Sequence, residues 1–143
     1  MRKSLIDTDI FSEMMRGRDT LVIDRAHAYE AAFPAFTISA VTFMELAKGL
    51  YKRGRGDVLD DLLNEVGDVE IVPFDKETAH LAGRISADLE SNGQPIGRAD
   101  PMIAATAIQH DLVLVSGNCD HFNRIVILGH PLLLEDWRQA PAG

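Results

Sequence analysis

Several carboxylate residues in this chain stand where short apolar runs end. In LIDTDI, Leu5 to Ile10, an apolar run meets Asp7, and Asp9 follows after one threonine. In ISAVTFMELAKGL, Glu45 sits about two helical turns past a second apolar run. Gly49, four residues on, leaves room on the same helical face. In IGRADPMIAATAIQHDLVLVSGN, Asp100 precedes a helical stretch, and the run LVLVS then delivers Ser116, Asn118 and Asp120. Converging on one place, these carboxylates would repel one another unless a cation stood among them. Hard oxygen ligands of this kind select Mg²⁺ or Mn²⁺. The bland alternative is capping: Asp is a good N-cap, and Asp100 directly before Pro101 reads as an N-cap with proline at the first helical position. The histidines, His27, His80, His110, His121 and His130, show no HExxH or similar spacing and read as structural residues.

A fold that brings such residues together must place the ends of several strands side by side. Apolar runs bounded by turn signals alternate with segments of helical period, the pattern of strands and helices in a parallel sheet. The runs predict strands over 3–7, 36–39, 69–74, 111–116 and 124–128. Helices are expected over 10–15, 21–32, 40–52, 58–66, 76–91 and 101–110. In open parallel sheets ligands bind beyond the carboxyl ends of the strands, which is where Asp7, Ser116, Asn118 and Asp120 would fall. Small residues Ala104 to Ala107 let the last of these helices lie close on the sheet, and Phe122 is expected to close the loop after Ser116.

At 143 residues and 46% hydrophobic content the chain fits one compact domain, expected over residues 1–137 with a frayed tail over 138–143. No apolar stretch reaches the length of a membrane span, and one cysteine allows no internal disulfide, which points to the cytoplasm. The net charge of −8 argues against a uniformly basic surface that coats nucleic acid. Yet Lys48, Lys52, Arg53 and Arg55 lie close together in sequence, and such a patch suits a helix end or a phosphate backbone.

Together, IDTDI with Asp7, MELAKG with Glu45, IGRADPMIAATA with Asp100 and LVSGNCDHF with Asn118 resemble the PIN-domain ribonucleases, in particular VapC-type toxins of toxin–antitoxin pairs. The resemblance runs from residue 3 to the EDW at 135–137. It implies an α/β, PIN-like three-layer fold with a central parallel sheet of four to five strands flanked by helices. It further implies Mg²⁺- or Mn²⁺-dependent endonucleolytic cleavage of RNA, a homodimer, and a cognate antitoxin as partner. The family often carries a further acid after the fourth strand; here those places hold Asn118 and Asp120.

On this reading Asp7, Glu45 and Asp100 hold the cation and Asp120 stands in its outer shell. Ser116 and Asn118 orient water or the scissile phosphate, and Lys48, Lys52, Arg53 and Arg55 track the RNA. Apolar residues of the helices, Ile10, Phe11, Met14, Met15, Val41, Phe43 and Leu50, are expected to meet the antitoxin segment or a second copy. Two rivals start from the same acids: a haloacid-dehalogenase-like phosphatase using Asp7 of the Asp7-Thr8-Asp9 triplet as nucleophile, and a non-catalytic phospho-receiver. The first lacks the expected residues after Asp9, where Ile10 and Phe11 stand; the second lacks a phosphoacceptor Asp after a central strand.

Overall fold

The computed structural model describes residues 1–141. Its core is a five-stranded, wholly parallel sheet in the order β3-β2-β1-β4-β5. The strands are β1 (Ser4–Ile6), β2 (Phe36–Ser39), β3 (Val69–Val72), β4 (Val113–Val115) and β5 (Leu134–Glu135). The helices are α1 (Thr8–Arg16), α2 (Thr20–Ala32), α3 (Ala40–Lys52), α4 (Leu59–Val66), α5 (Lys76–Ser91), α6 (Ala99–Gln109) and α7 (Cys119–Ile127), with a short 3₁₀ turn at Gly56–Val58.

Burial separates the central strands from the edges. β1, β2 and β4 are buried at every residue, whereas the edge strands β3 and β5 are partly open. Successive side chains of a strand point to opposite faces. Leu5 and Leu114 therefore pack with Ile85 and Leu89 of α5, Ile103 of α6 and Phe122 and Ile125 of α7. Ile6, Ile38 and Val115 pack on the other face with Phe11, Val22, Tyr29, Leu63 and Trp137. This is the three-layer arrangement expected. Truncating Leu5 to Ala would leave a cavity between sheet and helices at a cost of about 2–5 kcal/mol.

The chain enters the sheet at its centre, winds outward through β2 and β3, and then crosses back to β4 on the other side of β1. That reversal makes the β1/β4 crevice the switch point of the sheet, where ligands of such folds bind. The chain enters α1 without a loop, because Asp7 is extended and caps it, while Gly17, at φ +67°, ends the helix in the left-handed conformation a Cβ disfavours.

One expected strand fails. Residues 124–128 are no strand: 124–127 complete α7, in which Phe122 and Ile125 are buried and Ile127 is 77% exposed, a helical rather than an alternating pattern. Phe122 accordingly lies inside a helix and not in a loop. The true fifth strand has two residues, too few to leave a periodic signal. Of the tail expected to fray, Arg138 and Gln139 are held by Asp136, through Arg138 N–H to Oδ1 at 2.9 Å and Gln139 N–H to the carbonyl at 3.2 Å. Ala142 and Gly143 lie outside the described residues.

Candidate active site

Asp7 follows β1 directly, and the residue is only 6% exposed. One oxygen accepts the Thr8 N–H at 2.8 Å, and the other accepts the Ser116 hydroxyl at 2.7 Å from the end of β4. Burial pushes its pKa up to about 7; the Ser116 bond opposes this, and the charges of Asp9 and Asp100 reinforce it. A carboxyl with such a pKa is only partly ionised at neutral pH.

Glu45 arrives from α3, where its Oε1 accepts the Thr8 hydroxyl at 2.6 Å. Asp100 arrives from α6 and does not cap it. The helix begins at Ala99 with Arg98 in the cap position, so Asp100 and Pro101 lie within the first turn, where a missing proline N–H costs nothing. The carboxylate is thereby free for other partners. It accepts the Asn118 amide at 3.1 Å and faces His121 Nδ1 at 3.4 Å. Partial burial raises its pKa, the His121 bond opposes that rise, and the negative charges of Glu45 and Asp9 add to it.

The structure thus brings together Asp7, Glu45, Asp100, Ser116 and Asn118. Ser116 is fully buried, and its hydroxyl is committed to Asp7 while it accepts the Asn118 N–H at 2.9 Å. Its hydroxyl is thus turned toward Asp7 and Asn118. Asp120 is not brought in: it is exposed in the first turn of α7, and no hydrogen bond or ion pair of its side chain occurs among the described residues. Lys48, Lys52, Arg53 and Arg55 are exposed around the C-terminal half of α3 and touch none of the carboxylates. Arg53 does line a groove of about 300 Å³ beside Glu45, together with Thr8, Met15, Arg16, Leu46 and Leu50. Of the apolar residues expected on the surface, Ile10, Phe11 and Val41 belong to the core, whereas Met14, Met15, Phe43 and Leu50 are only partly buried.

Three residues at the site have no role assigned from the sequence. Asp9 accepts the Gly117 N–H at 3.0 Å, and the Asp-Thr-Asp spacing after a strand was the signal for it. His121 stands beside Asp100 and Asn118 without any metal-site spacing to betray it. Arg138 lies 3.6 Å from Asp9, from a segment expected to be frayed.

Four carboxylates from three helices and one strand end therefore influence one another at the switch point, and the donor set is hard oxygen. Among the described residues no group of three His, Cys, Asp or Glu side chains is arranged to enclose an ion by itself. That is compatible with Mg²⁺, which commonly keeps several waters and takes only one or two carboxylates. Asp7 and Asp100, whose charged forms are disfavoured by burial and by neighbouring acids, fit such a cation, since a nearby positive charge would favour both.

A family model described as the PIN domain matches residues 4–128. The tRNA(fMet)-specific endonuclease VapC of Shigella flexneri is 30% identical over 138 residues, covering 96% of this chain and 99% of that one. Ribonuclease VapC2 of Haemophilus influenzae is 30% identical over 132 residues, covering 90% and 96%. Among solved structures, a chain of the DNA-bound VapBC from Salmonella typhimurium superposes with a TM-score of 0.79 at 28% identity, covering 96% of this chain and 99% of that chain. A chain of VapBC2 from Rickettsia felis bound to a promoter DNA fragment gives 0.78 at 25% identity, covering 94% and 98%.

Proposed function

This chain belongs to the PIN-domain family, and on that premise we propose that it is a ribonuclease, the toxin of a toxin–antitoxin pair, hydrolysing RNA phosphodiester bonds endonucleolytically with Mg²⁺ or Mn²⁺. The observation that carries the reading is the collection of Asp7, Asp9, Glu45 and Asp100 at the β1/β4 switch point of a chain whose family match spans residues 4–128. Asp7, Glu45 and Asp100 would hold the cation. When bound, a divalent cation lowers the pKa of its water and offsets charge at the phosphorus.

The chain's own residues set the stage for that chemistry. The Ser116 hydroxyl fixes the Asp7 carboxyl in one rotation, and the Thr8 hydroxyl does the same for Glu45. The Asn118 amide donates to Asp100, which leaves the amide oxygen available to accept from a water. The cations of α3, Lys48, Lys52, Arg53 and Arg55, would follow the RNA backbone beyond Glu45.

The partner is a cognate antitoxin, the assembly named in the solved VapBC relatives. The groove of Met15, Leu46 and Leu50, rimmed by Arg16 and Arg53, is apolar enough to take part of an antitoxin segment. A homodimer is expected as well, and the mass of the purified toxin–antitoxin complex in solution tests it. No described helix is long and apolar enough to cross a membrane.

Neither rival gains support. A phosphatase or receiver site would be expected to set a lysine beside its aspartate, whereas the cation paired with this cluster is Arg138. The decisive experiment incubates the purified chain with RNA, tRNA(fMet) first because a relative is named for it, with Mg²⁺, Mn²⁺ or EDTA. Cleavage with either metal and none with EDTA is expected; intact RNA under all conditions, with aspartyl-phosphate formed from acetyl phosphate, would return the function to the rivals.

A further inference from the structure

The segment after β5 ends in a side chain that the carboxylate site has not yet used. Trp137 is buried in the core against Tyr29, with ring centroids 5.8 Å apart. On one side of it Glu135 pairs with Arg25 at 2.6 Å; on the other, Arg25 also donates to the Gln139 carbonyl at 3.3 Å. Asp136 accepts the backbone N–H groups of both Arg138 and Gln139. The backbone at 138 is thus anchored on both sides, and it aims Arg138 back over the end of β4.

There the guanidinium lies above Gly117. A Cβ added at Gly117 would come within 2.5 Å of Arg138 Nη1 and 2.7 Å of Asp9 Oδ2. Gly117 has no positive φ, so space and not backbone conformation is what glycine provides. The room is occupied by a pair whose one ionic contact is long, 3.6 Å to Asp9, with the Arg138 side chain 35% exposed. So long and wet a pair holds little stability. It leaves most of the five guanidinium donors free for another acceptor.

Resting on the ribonuclease reading, we propose that Arg138 is a substrate-binding residue that takes an RNA phosphate next to the bond being cut. An RNA chain approaching four carboxylates meets repulsion. Arg138 is the one lysine or arginine among the described residues in ion-pair contact with any of them. A guanidinium is planar and presents paired donors, which match the non-bridging oxygens of a phosphodiester. Asp9 serves as its resting counter-ion, and Gly117 keeps the passage between them open.

The test measures kcat and KM of the full chain on a short single-stranded RNA at saturating Mn²⁺, over a series of salt concentrations. Arg138→Met is expected to raise KM about tenfold with kcat within about twofold, and to flatten the log KM against log salt slope by roughly 0.7, the value of one phosphate contact. Arg138→Lys should restore the slope and only part of the KM, since it keeps the charge without the fork. Thermal melts of all three proteins report folding, and Arg138→Lys keeps the question open to measurement if Arg138→Met folds poorly. An unchanged KM and salt slope with a lowered melting temperature would mean a structural ion pair and overturn the proposal; so would a fall in kcat alone. A wild-type chain that neither cuts nor binds RNA would overturn the ribonuclease reading along with it, whereas normal wild-type cleavage with an indifferent Arg138→Met sinks this proposal only.

Discussion

Asp7 at the β1–α1 junction and Asp75 at the β3–α5 junction hold the same local position. Each precedes a helix as its N-cap with extended backbone, at φ −73°, ψ 161° and φ −89°, ψ −176°. Asp75 is exposed and accepts both the N–H and the hydroxyl of Thr78, at 2.9 and 2.7 Å. Those bonds hold its carboxyl below the usual range. Asp7 is buried, reaches only the N–H of the next residue, and turns its second oxygen to Ser116. Its pKa is pushed up to about 7, chiefly by burial. Capping is therefore sufficient reason for Asp75 and insufficient for Asp7, because a cap needs no buried charge: Ser39 starts α3 by accepting the Thr42 N–H at 2.9 Å. A carboxyl kept where its charge is disfavoured is better explained by what it binds.

The largest expected effect separates the two aspartates by activity. Asp7→Asn should reduce RNA cleavage by at least about 10³-fold, since it removes a charge that the cation and the transition state require. Glu45→Gln and Asp100→Asn should do the same, each with its fold intact by circular dichroism. Asp75→Ala should cut RNA at the wild-type rate. Unimpaired cleavage by Asp100→Asn would break the site assignment, and loss of cleavage in folded Asp75→Ala would break the comparison itself.

The second effect is on stability and runs in opposite directions at the two junctions. A group whose folded pKa is raised stabilises the protein below its unfolded value and loses that contribution as pH climbs to the folded one. For Asp7 the window runs from about pH 4 to about pH 7, and the loss has a ceiling of roughly 4 kcal/mol. In EDTA, the melting temperature of Asp7→Asn should thus gain on the wild type steadily from pH 5 to pH 8. Asp100, also raised, leaves a smaller decline in that variant. Asp75, with its pKa lowered, stabilises above the unfolded value and loses this only as pH falls below it, so Asp75→Ala should melt a few degrees lower at pH 7. A constant offset between wild type and Asp7→Asn across the range would show that Asp7 is not held neutral.

The same contrast accounts for what could be read in advance. β4 was legible as a continuous apolar run and β1 and β2 as short apolar segments that carry Ser4, Thr37 and Ser39 inside the fold, and Asp7 and Glu45 were legible from their places after β1 and β2. Residues 124–128 misled because a β-branched run is equally at home on a helix with one buried stripe. Asp100 was found, though its expected capping role was not, since the turn at Arg98 starts α6 earlier without a side-chain cap. Asp9, His121 and Arg138 were hidden for a common reason: each acts through a contact between distant segments, Asp9 with Gly117, His121 with Asp100, Arg138 with Asp9. Local pattern marks Asp9 only as the second acid of Asp-Thr-Asp and carries no trace of the partners of any of the three.

The smallest effect is expected at Asp120, a third aspartate at the start of a helix, and it sharpens the rule. Its position in the first turn of α7 lets it interact with the helix dipole, as an acid at any helix start does. It is exposed, and Asn118 rather than Asp120 reaches Asp100. It should accordingly behave like Asp75 and not like Asp7. Asp120→Asn is expected to change the melting temperature by about a degree at low salt and less at high salt, as a screened helix-end charge does. Mn²⁺ affinity by calorimetry and RNA cleavage should stay within about twofold of wild type, well short of the 10- to 100-fold that outer-shell partners of a metal typically cost. A loss of tenfold or more in Mn²⁺ affinity would place Asp120 among the groups around the cation, and would show that α7 moves when the site fills.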